Sequence, residues 1–232
     1  MIKYYLGEVM HRILDVIQSP ARVKRRHAFH FFNGKHEKEG TLRHDHYERF
    51  HTTHFGLDHA FYAGKKLLDI GCGPRGSLEW ADMASQRVGL DPIVDSYRKL
   101  GIDQHAMEYV HAPAEKIPFD DGHFDVVMSF NSLDHVDDLD QAIKEIARVV
   151  APGGLFLLIT DVDHKATITE PLEFSFDVLD KFLPFFEAIE VKHFEERNRL
   201  GIYQSLAEEI VYDHDDKTER EGILTAKLQR VV

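Results

Sequence analysis

The N-terminal part of the chain carries hydrophobic residues at helical spacing. Over Tyr4–Ile17 apolar side chains recur every three or four positions, which is typical of an amphipathic helix, and Ser19-Pro20 ends that helix. The polar segment Asn33–Gly40 predicts a loop. A second helical stretch is expected over Leu42–Tyr62. The chain therefore begins with a group of predicted helices.

From Lys66 onward, short apolar runs alternate with helical segments, which is typical of a parallel sheet with crossover helices. The predicted strands are Lys66–Ile70, Arg87–Leu90, Glu108–His111, Phe124–Phe130 and Gly154–Thr160. The predicted helices are Ser77–Ala84, Val94–Leu100, Leu139–Val150 and Ser175–Phe182. This pattern predicts an α/β fold, a three-layer sandwich around a mostly parallel sheet.

Two further strands are predicted at Glu187–Glu195 and Gly222–Val232, and we expect them to pair in antiparallel fashion. The segment Glu196–Glu221 between them is too long for a simple connection, so it is expected to help enclose a site. The chain then divides into an N-terminal helical cap over residues 1–62 and a main domain over residues 63–232.

The composition disfavours several classes of protein. A formal net charge of −12 argues against nucleic acid as a partner, because phosphate contact needs a basic surface, and the basic run Arg22–Arg26 is interpreted as solvated. Cys72 is the only cysteine, which excludes a disulfide framework and fits a reducing compartment. No apolar segment has the length of a signal peptide or a membrane span, so a cytoplasmic protein without a membrane partner is expected.

The first candidate for chemistry is a glycine-rich turn, which contains Gly71 and Gly73 and follows a predicted buried strand. Glycines let the backbone approach a ligand closely and adopt positive φ angles. The Gly-x-Gly-x-x-Gly pattern alone equally describes a dinucleotide-binding fold. Asp69 separates the two possibilities, because a carboxylate there would repel a pyrophosphate but would attract the ammonium group of a methionine moiety.

Other acidic and polar residues also follow predicted strands. Asp91 ends the second strand, where its side chain can accept hydrogen bonds from two ribose hydroxyls, as nicotinamide dinucleotides and S-adenosylmethionine both require. Ala112–Glu115 and Ser129–His135 follow the next two strands. Because ligands of such sheets lie across the carboxyl ends of the strands, these segments predict one nucleoside site.

Five segments together resemble the successive motifs of class I S-adenosylmethionine-dependent methyltransferases, in particular the small-molecule group that includes ubiquinone and sterol methyltransferases. They are Leu67–Gly76, Gly89–Pro92, Ala114–Phe119, Phe124–Val127 and Val150–Gly154. The resemblance covers about Lys66–Thr160. It implies a Rossmann-like methyltransferase fold with seven strands in the order 3-2-1-4-5-7-6.

The resemblance also implies a site for S-adenosylmethionine, with S-adenosylhomocysteine as the product. The implied cofactor-binding residues are Asp69, Gly71, Cys72, Gly73, Asp91, Pro92, Ala114, Glu115 and Asn131. The turn after the first strand would hold the methionine end, Asp91 the ribose, Ala114-Glu115 the adenine edge, and the Asn131 carbonyl would line the cofactor. The family usually places Asp where this chain has Pro113, so Glu115 or a backbone carbonyl would have to accept from the adenine amine.

Methyl transfer depends mainly on alignment of the methyl group with its nucleophile. A hydroxyl or ammonium acceptor must also lose a proton, which a histidine can remove near neutral pH. His135 follows the fourth predicted strand and is the candidate catalytic base, although it could instead cap the next helix or pack against the sheet. His164, after the fifth strand, is a second candidate.

A second group of histidines precedes the glycine-rich turn. His51 and His54 would share a helical face with Tyr47 and would line an acceptor pocket, to which His164 is also assigned. No metal site is expected, because His-x-x-His without a carboxylate partner is a weak signal.

The sequence therefore predicts a methyltransferase that moves a methyl group from S-adenosylmethionine to oxygen or nitrogen of a small-molecule acceptor by in-line displacement. Two alternatives remain at this point: a non-catalytic protein that binds the same cofactor, and a nicotinamide-dependent oxidoreductase, against which Asp69 argues. The sequence contains no signal for a particular oligomeric state.

Overall fold

The computed structural model describes residues 20–40, 42, 47–197 and 201–231, so the helix predicted over Tyr4–Ile17 lies outside the described residues. The described part is built on one seven-stranded sheet with the order β3-β2-β1-β4-β5-β7-β6. The strands are β1 (Lys66–Ile70), β2 (Gln86–Asp91), β3 (Glu108–His111), β4 (Phe124–Phe130), β5 (Val150–Val162), β6 (Phe186–Glu195) and β7 (Gly222–Arg230).

The strand pairing confirms the predicted α/β class and strand order. Strands β1 to β5 pair in parallel, and β7 lies antiparallel between β5 and β6. The central strands are buried on both faces, as expected for parallel strands covered on both sides. Their side chains alternate between two apolar layers, with Leu68 and Val127 on one side and Leu67 and Val126 on the other.

Six α-helices and several 3₁₀ turns surround the sheet in the described part of the chain. The helices are α1 (Pro20–Glu39), α2 (Glu48–His51), α3 (His59–Tyr62), α4 (Val94–Tyr97), α5 (Leu139–Val149) and α6 (Ile202–Glu208). The 3₁₀ turns are Thr53–Phe55, Arg98–Leu100, Ile102–Gln104, Leu133–His135 and Phe176–Lys181. The predicted α-helix over residues 175–182 is therefore a 3₁₀ helix.

The loop predicted over Asn33–Gly40 is wrong, because these residues form the last turns of α1 up to Glu39. Pro20 begins this helix at the position where its missing N–H costs nothing. The Asn33 side-chain amide donates to Glu37 Oε1 at 2.8 Å one turn later, which supports the helix. The helix ends at Glu39, and Gly40 follows it with a φ of 75°. A run of polar residues was therefore not sufficient to predict a loop here.

Two other predicted helices also differ from the structure. Residues 77–84 form turns instead of a helix, and the Arg87 guanidinium donates to the carbonyl oxygens of Leu78 at 3.5 Å and Glu79 at 3.2 Å, which takes up acceptors a helix would use. The stretch Leu42–Tyr62 is broken into short pieces, with Gly56 at a φ of 65° between two of them.

The apolar face predicted for α5 is buried against the sheet, as expected from its spacing. On the opposite face, Phe50, Phe55 and Tyr62 from the N-terminal segment join the core beneath β1, β4 and β5. Burial of each ring stabilises the fold by about 1.5–3 kcal/mol. The N-terminal segment thus contributes to the main core, and a cap boundary at residue 62 stays a prediction. None of the helices within residues 20–40, 47–197 and 201–231 is both long and apolar enough to cross a membrane.

Candidate active site

The turn after β1 lies directly against the loop after β4. Gly71 has a φ of 72°, and a Cβ atom added to it would lie 2.3 Å from the Ser132 Cβ atom. Ser132 Oγ donates to the Ile70 carbonyl at 2.8 Å, and the Gly71 N–H donates to the Leu90 carbonyl at 2.8 Å. A side chain at position 71 would force apart the loops that form the floor of the site.

Asp69 is a buried carboxylate at the end of β1, and it accepts a hydrogen bond from the Ser77 hydroxyl. Burial raises the pKa of Asp69 to about 7, and the nearby Asp91 carboxylate adds to this effect. A cationic group beside Asp69 would lower this pKa and would be attracted to the ionised form. The position is therefore suited to an ammonium group.

Asp91 is the second buried carboxylate, at the end of β2. Its Oδ1 accepts from the Ile93 N–H at 3.0 Å and its Oδ2 from the Gly73 N–H at 3.3 Å. Burial raises the pKa of Asp91 to about 6, although these two backbone donors oppose the shift. Each oxygen retains capacity for a further donor, such as a ligand hydroxyl.

A cavity of about 330 Å³ lies at the carboxyl ends of β1, β2 and β4. We call it the first cavity. Its wall contains the predicted site residues Gly71, Gly73, Asp91, Pro92, Ala114, Glu115, Asn131 and His135. Asn131 has a φ of 54°, a left-handed conformation that Asn tolerates better than most side chains. The structure therefore brings together most of the residues assigned to the nucleoside end of a cofactor.

Glu115 also stabilises the loop beside this cavity. Its Oε1 accepts from the Asp137 N–H at 2.7 Å and from the Asp138 N–H at 3.1 Å. Pro113 lines the cavity at the position where an acidic side chain was expected from the resemblance. An adenine amine would therefore have to use the second Glu115 oxygen or a backbone carbonyl.

A second cavity, of about 710 Å³, adjoins the first and shares Gly71, Gly73 and Asn131 with it. Asp69 and Cys72 line this second cavity, on the side of the glycine turn away from the nucleoside residues. Residues 201–204 also line it, so part of the segment predicted to enclose a site does border one. The two connected cavities together can hold an elongated ligand and a second molecule.

Two basic side chains, Arg75 and Lys35, line the second cavity beside the Glu39 and Asp69 carboxylates, and the sequence did not reveal the basic pair. The Arg75 guanidinium donates two hydrogen bonds to the Glu39 carboxylate, at 2.9 and 2.8 Å. Lys35 also lines the cavity, and burial together with Arg75 lowers its pKa. Lys35 fell in a predicted loop, so no sequence signal placed it here.

Tyr47 and His51 both line the second cavity, as predicted for acceptor residues. The His51 ring is buried between Phe130, with ring centroids 4.6 Å apart, and Trp80, at 5.5 Å. Its Nδ1 lies 3.0 Å from the Tyr47 carbonyl, and its Nε2 has no hydrogen-bond partner among the described residues. Burial lowers the pKa of His51 to about 4, so the ring is neutral at physiological pH.

His54 is oriented differently from His51. Its ring packs against Phe55 and Phe194, with centroids 4.9 and 5.8 Å away, and it does not line the second cavity. Burial, aided by the Lys192 charge, lowers the pKa of His54 to about 4. The two histidines do not share a helical face, because α2 ends at His51.

His135 lines the first cavity and lies on the 3₁₀ turn after β4, with its side chain 34% exposed. Its Nε2 is 3.8 Å from Oδ2 of the buried Asp134. His164 lines neither cavity, and its Nε2 is buried without a hydrogen-bond partner in the described part of the chain. Its assignment as a base stays a prediction, as does that of His135.

Sequence reasoning missed several residues of the site. Phe32 of α1 covers the glycine turn, with its Cζ atom 3.1 Å from the place of a Cβ on Gly73. Tyr203 of α6 lines the second cavity. Asp134 and Glu170 lie beside His135, although Glu170 follows β5 and belongs to none of the motifs. These contacts join segments that are distant in the chain, so local patterns could not predict them.

Comparisons with known proteins identify relatives of this chain. A family model described as methyltransferase domain matches residues 68–158. The ubiquinone/menaquinone biosynthesis C-methyltransferase UbiE of Neisseria meningitidis is 32% identical over 189 residues, covering 77% of this chain and 73% of the relative. The malonyl-acyl-carrier-protein O-methyltransferase of Pseudescherichia vulneris is 38% identical over 96 residues, covering 40% of this chain but only 38% of that protein.

Solved structures share the fold at lower sequence identity. A chain from a complex with the Trm112 methyltransferase activator of Haloferax volcanii has a TM-score of 0.57 and 16% identity, covering 88% of this chain and 96% of that chain. The N-methyltransferase NodS of Bradyrhizobium japonicum, bound to S-adenosylhomocysteine, has a TM-score of 0.53 and 14% identity, covering 81% and 85%. The 4+2 cyclase SpnF has a TM-score of 0.55 and 22% identity, covering 75% and 77%. The fold is therefore shared by proteins with different reactions.

Proposed function

This chain belongs to the S-adenosylmethionine-dependent methyltransferase family, and from that premise we propose that it methylates an oxygen or nitrogen atom of a small-molecule acceptor. One observation supports this proposal above others. Two buried carboxylates, Asp69 and Asp91, flank the glycine turn where two cavities meet. One cavity suits the nucleoside of the cofactor, and the other suits the acceptor.

The residues of the first cavity fit an adenosine group. The Asp91 carboxylate can accept from ribose hydroxyls while it keeps its two backbone donors. Leu90, Ile93 and Val136 give the cavity apolar walls that suit a purine ring. The cofactor would supply an activated methyl group, and this chain would supply binding and alignment.

The methionine end would lie on the other side of the glycine turn. Asp69 lines the second cavity, and its buried carboxylate can bind an ammonium group. This arrangement disfavours a nicotinamide dinucleotide, because its pyrophosphate would lie beside Asp69. The family membership disfavours that alternative further.

The remaining space of the second cavity would hold the acceptor. Tyr47, Tyr203 and Phe130 form aromatic walls that orient a small molecule and exclude water. Arg75 and Lys35 offer hydrogen-bond donors to polar groups of an acceptor, while the Glu39 and Asp69 carboxylates balance their charges. His135 remains the proposed catalytic residue, because it is the predicted acceptor-side residue that borders the cofactor cavity.

The experiment that tests this function is an assay with labelled S-adenosylmethionine and three sets of acceptors: hydroxylated metabolites, amines and phenolic quinone precursors. We expect label in a hydroxylated metabolite or an amine, with mass spectrometry locating the methyl group on oxygen or nitrogen. Transfer to a carbon atom alone, as the names of the UbiE relatives describe for those proteins, would contradict the proposed acceptor class. Binding of the cofactor without any transfer would favour the non-catalytic alternative.

A further inference from the structure

A cluster of titratable side chains borders the first cavity, and none of its members is among the residues assigned to cofactor binding. Asp134, His135 and Glu170 each offer one ligand atom, and these atoms all lie within 4.8 Å of one another. Asp134 and His135 belong to the turn after β4, whereas Glu170 comes from the long connection after β5. His135 and Glu170 line the cavity, and Asp134 lies behind them with 1% of its surface exposed.

The buried Asp134 carboxylate lacks a partner. Its Oδ1 has no hydrogen bond from any described residue, although a buried carboxylate normally requires one. A charged amine is nearby, but Lys24 Nζ donates to the His135 carbonyl at 2.6 Å and to the Asp137 carboxylate. This unpartnered buried oxygen belongs to a cluster with two other potential ligands, and a bound cation would satisfy it.

More negative charge surrounds the cluster. The Asp161 carboxylate lies close enough to interact with Asp134, and its Oδ1 also lacks a partner among the described residues. These neighbouring carboxylates repel one another, and a divalent cation would relieve this repulsion.

The connection after β5 is anchored so that Glu170 stays near the turn after β4. The Leu172 N–H donates to the Asp134 carbonyl at 3.4 Å. The Thr167 hydroxyl donates to Glu170 Oε2 at 3.1 Å and accepts from the Glu170 N–H at 3.0 Å. Glu170 therefore has a fixed backbone and a second carboxylate oxygen for a ligand.

We propose that Asp134, His135 and Glu170 bind a first-row divalent cation such as Mn²⁺, which binds oxygen atoms of a methyl acceptor that extends from the second cavity into the first, where the two cavities share Gly71, Gly73 and Asn131. Two carboxylates with one imidazole suit such ions better than Ca²⁺ or Mg²⁺, which prefer oxygen ligands alone. Metal–ligand bonds of about 2.1 Å place three ligand atoms that surround one ion evenly at most about 3.6 Å from one another. The three atoms of the cluster lie within 4.8 Å of one another, so a closer approach of up to about 1.2 Å would bring them all onto one ion.

The proposed cation has a direct chemical use, which rests on the proposed methyl transfer. Three protein ligands leave open positions, so an acceptor with two adjacent oxygen atoms, such as a vicinal diol or a hydroxy acid, can bind as a chelate. Coordination lowers the pKa of the acceptor hydroxyl, which loses its proton to water. The acceptor oxygen then forms a bond to the methyl carbon with its electron pair, while the carbon–sulfur bond breaks and leaves its pair on sulfur. His135 would act here as a ligand instead of a free base, which departs from the expectation of no metal.

The test is a titration of the purified protein with Mn²⁺ alone, in which electron paramagnetic resonance measures the free ion. We expect one binding site in the wild-type protein. Glu170→Gln keeps the shape of a partly exposed side chain but removes the charge, and it should weaken Mn²⁺ binding by about tenfold or more. Glu187→Gln removes the same charge from the start of β6, at the opposite end of the sheet, and should leave Mn²⁺ binding unchanged.

Binding of S-adenosylhomocysteine to both variants, measured by calorimetry, serves as the control for folding. Wild-type protein that binds no Mn²⁺ at millimolar concentration overturns the proposal, as does equal weakening by both substitutions. If the proposed methyl transfer is wrong, the result is different: the protein would bind Mn²⁺ but would not bind S-adenosylhomocysteine. A chelator should also abolish transfer to a vicinal diol while it leaves cofactor affinity unchanged.

Discussion

Replacement of Asp91 tests the cofactor site most sharply, because this carboxylate has two separable tasks. It anchors the Gly73 and Ile93 amides at 3.3 and 3.0 Å, and it faces the first cavity. Asp91→Ala removes the charged acceptor for two ribose hydroxyls, which should cost about 1.5–3 kcal/mol of binding free energy, or about 10- to 150-fold in Kd. The loss of both backbone contacts should also lower the free energy of unfolding by about 1–3 kcal/mol.

The assay is calorimetric titration with S-adenosylhomocysteine, together with chemical denaturation of the same samples. Asp91→Asn should keep more of the stability than Asp91→Ala, because its amide oxygen can still accept from Ile93, while cofactor affinity still falls with the lost charge. Asp95→Ala is the matched control, since Asp95 is exposed and its carboxylate contacts His111 outside the cavity. An unchanged Kd for Asp91→Ala would refute the assignment of the ribose to this residue.

Three further predictions concern the turn, the ammonium site and the catalytic residue. Gly71→Ala should lower the free energy of unfolding by roughly 2–4 kcal/mol, because the added Cβ atom would lie 2.3 Å from the Ser132 Cβ atom. Gly153→Ala is the control, because Gly153 has a similar φ of 75° but open space around it, and it should lower the free energy of unfolding by only about 1 kcal/mol in the same denaturation experiment. Because the pKa of Asp69 is raised to about 7, a proton competes with the ammonium group of the ligand below that pH. The Kd for S-adenosylhomocysteine should therefore rise about tenfold when the pH falls from 8 to 6. Asp69→Asn should remove this pH dependence. The same raised pKa means that the native protein binds more protons than the unfolded chain, so this group should make the ligand-free protein more stable as pH falls from 8 to 5. His135→Ala should lower turnover by about a hundredfold or more without changing the Kd for S-adenosylhomocysteine, and a variant with full turnover would contradict its catalytic assignment.

The sheet could be predicted from the sequence because each strand has a strong local signal. Buried runs such as Leu67–Ile70 and Val126–Phe130 are apolar apart from Asp69 and Ser129, and the structure places them at the centre of the sheet. Helices were less predictable where other contacts determine the backbone. Residues 77–84 have helical spacing, but Arg87 binds two of their carbonyl groups instead. Secondary structure there depends on a side chain outside the segment.

The convergence of the residues assigned to the cofactor could be predicted, because they follow strands whose ends meet at one edge of the sheet, and their binding role stays a prediction. Asp69, Gly71 and Asp91 are each within or next to a recognisable motif. Apart from Tyr47 and His51, the second cavity could not be predicted in the same way, because much of its wall comes from α1 and α6. Glu170, in the connection after β5, lies close to Asp134, in the turn after β4, and no sequence pattern predicts a contact between these two loops.

The central claim, that the two cavities bind S-adenosylmethionine, is tested most directly by calorimetric titration of the wild-type protein with S-adenosylmethionine, S-adenosylhomocysteine and NADH. The account predicts that both sulfur nucleosides bind with one molecule per chain and raise the melting temperature, since a ligand of the native state stabilises it by mass action. It also predicts no binding of NADH, whose pyrophosphate would lie beside Asp69. Tight binding of NADH without binding of either sulfur nucleoside would contradict the account.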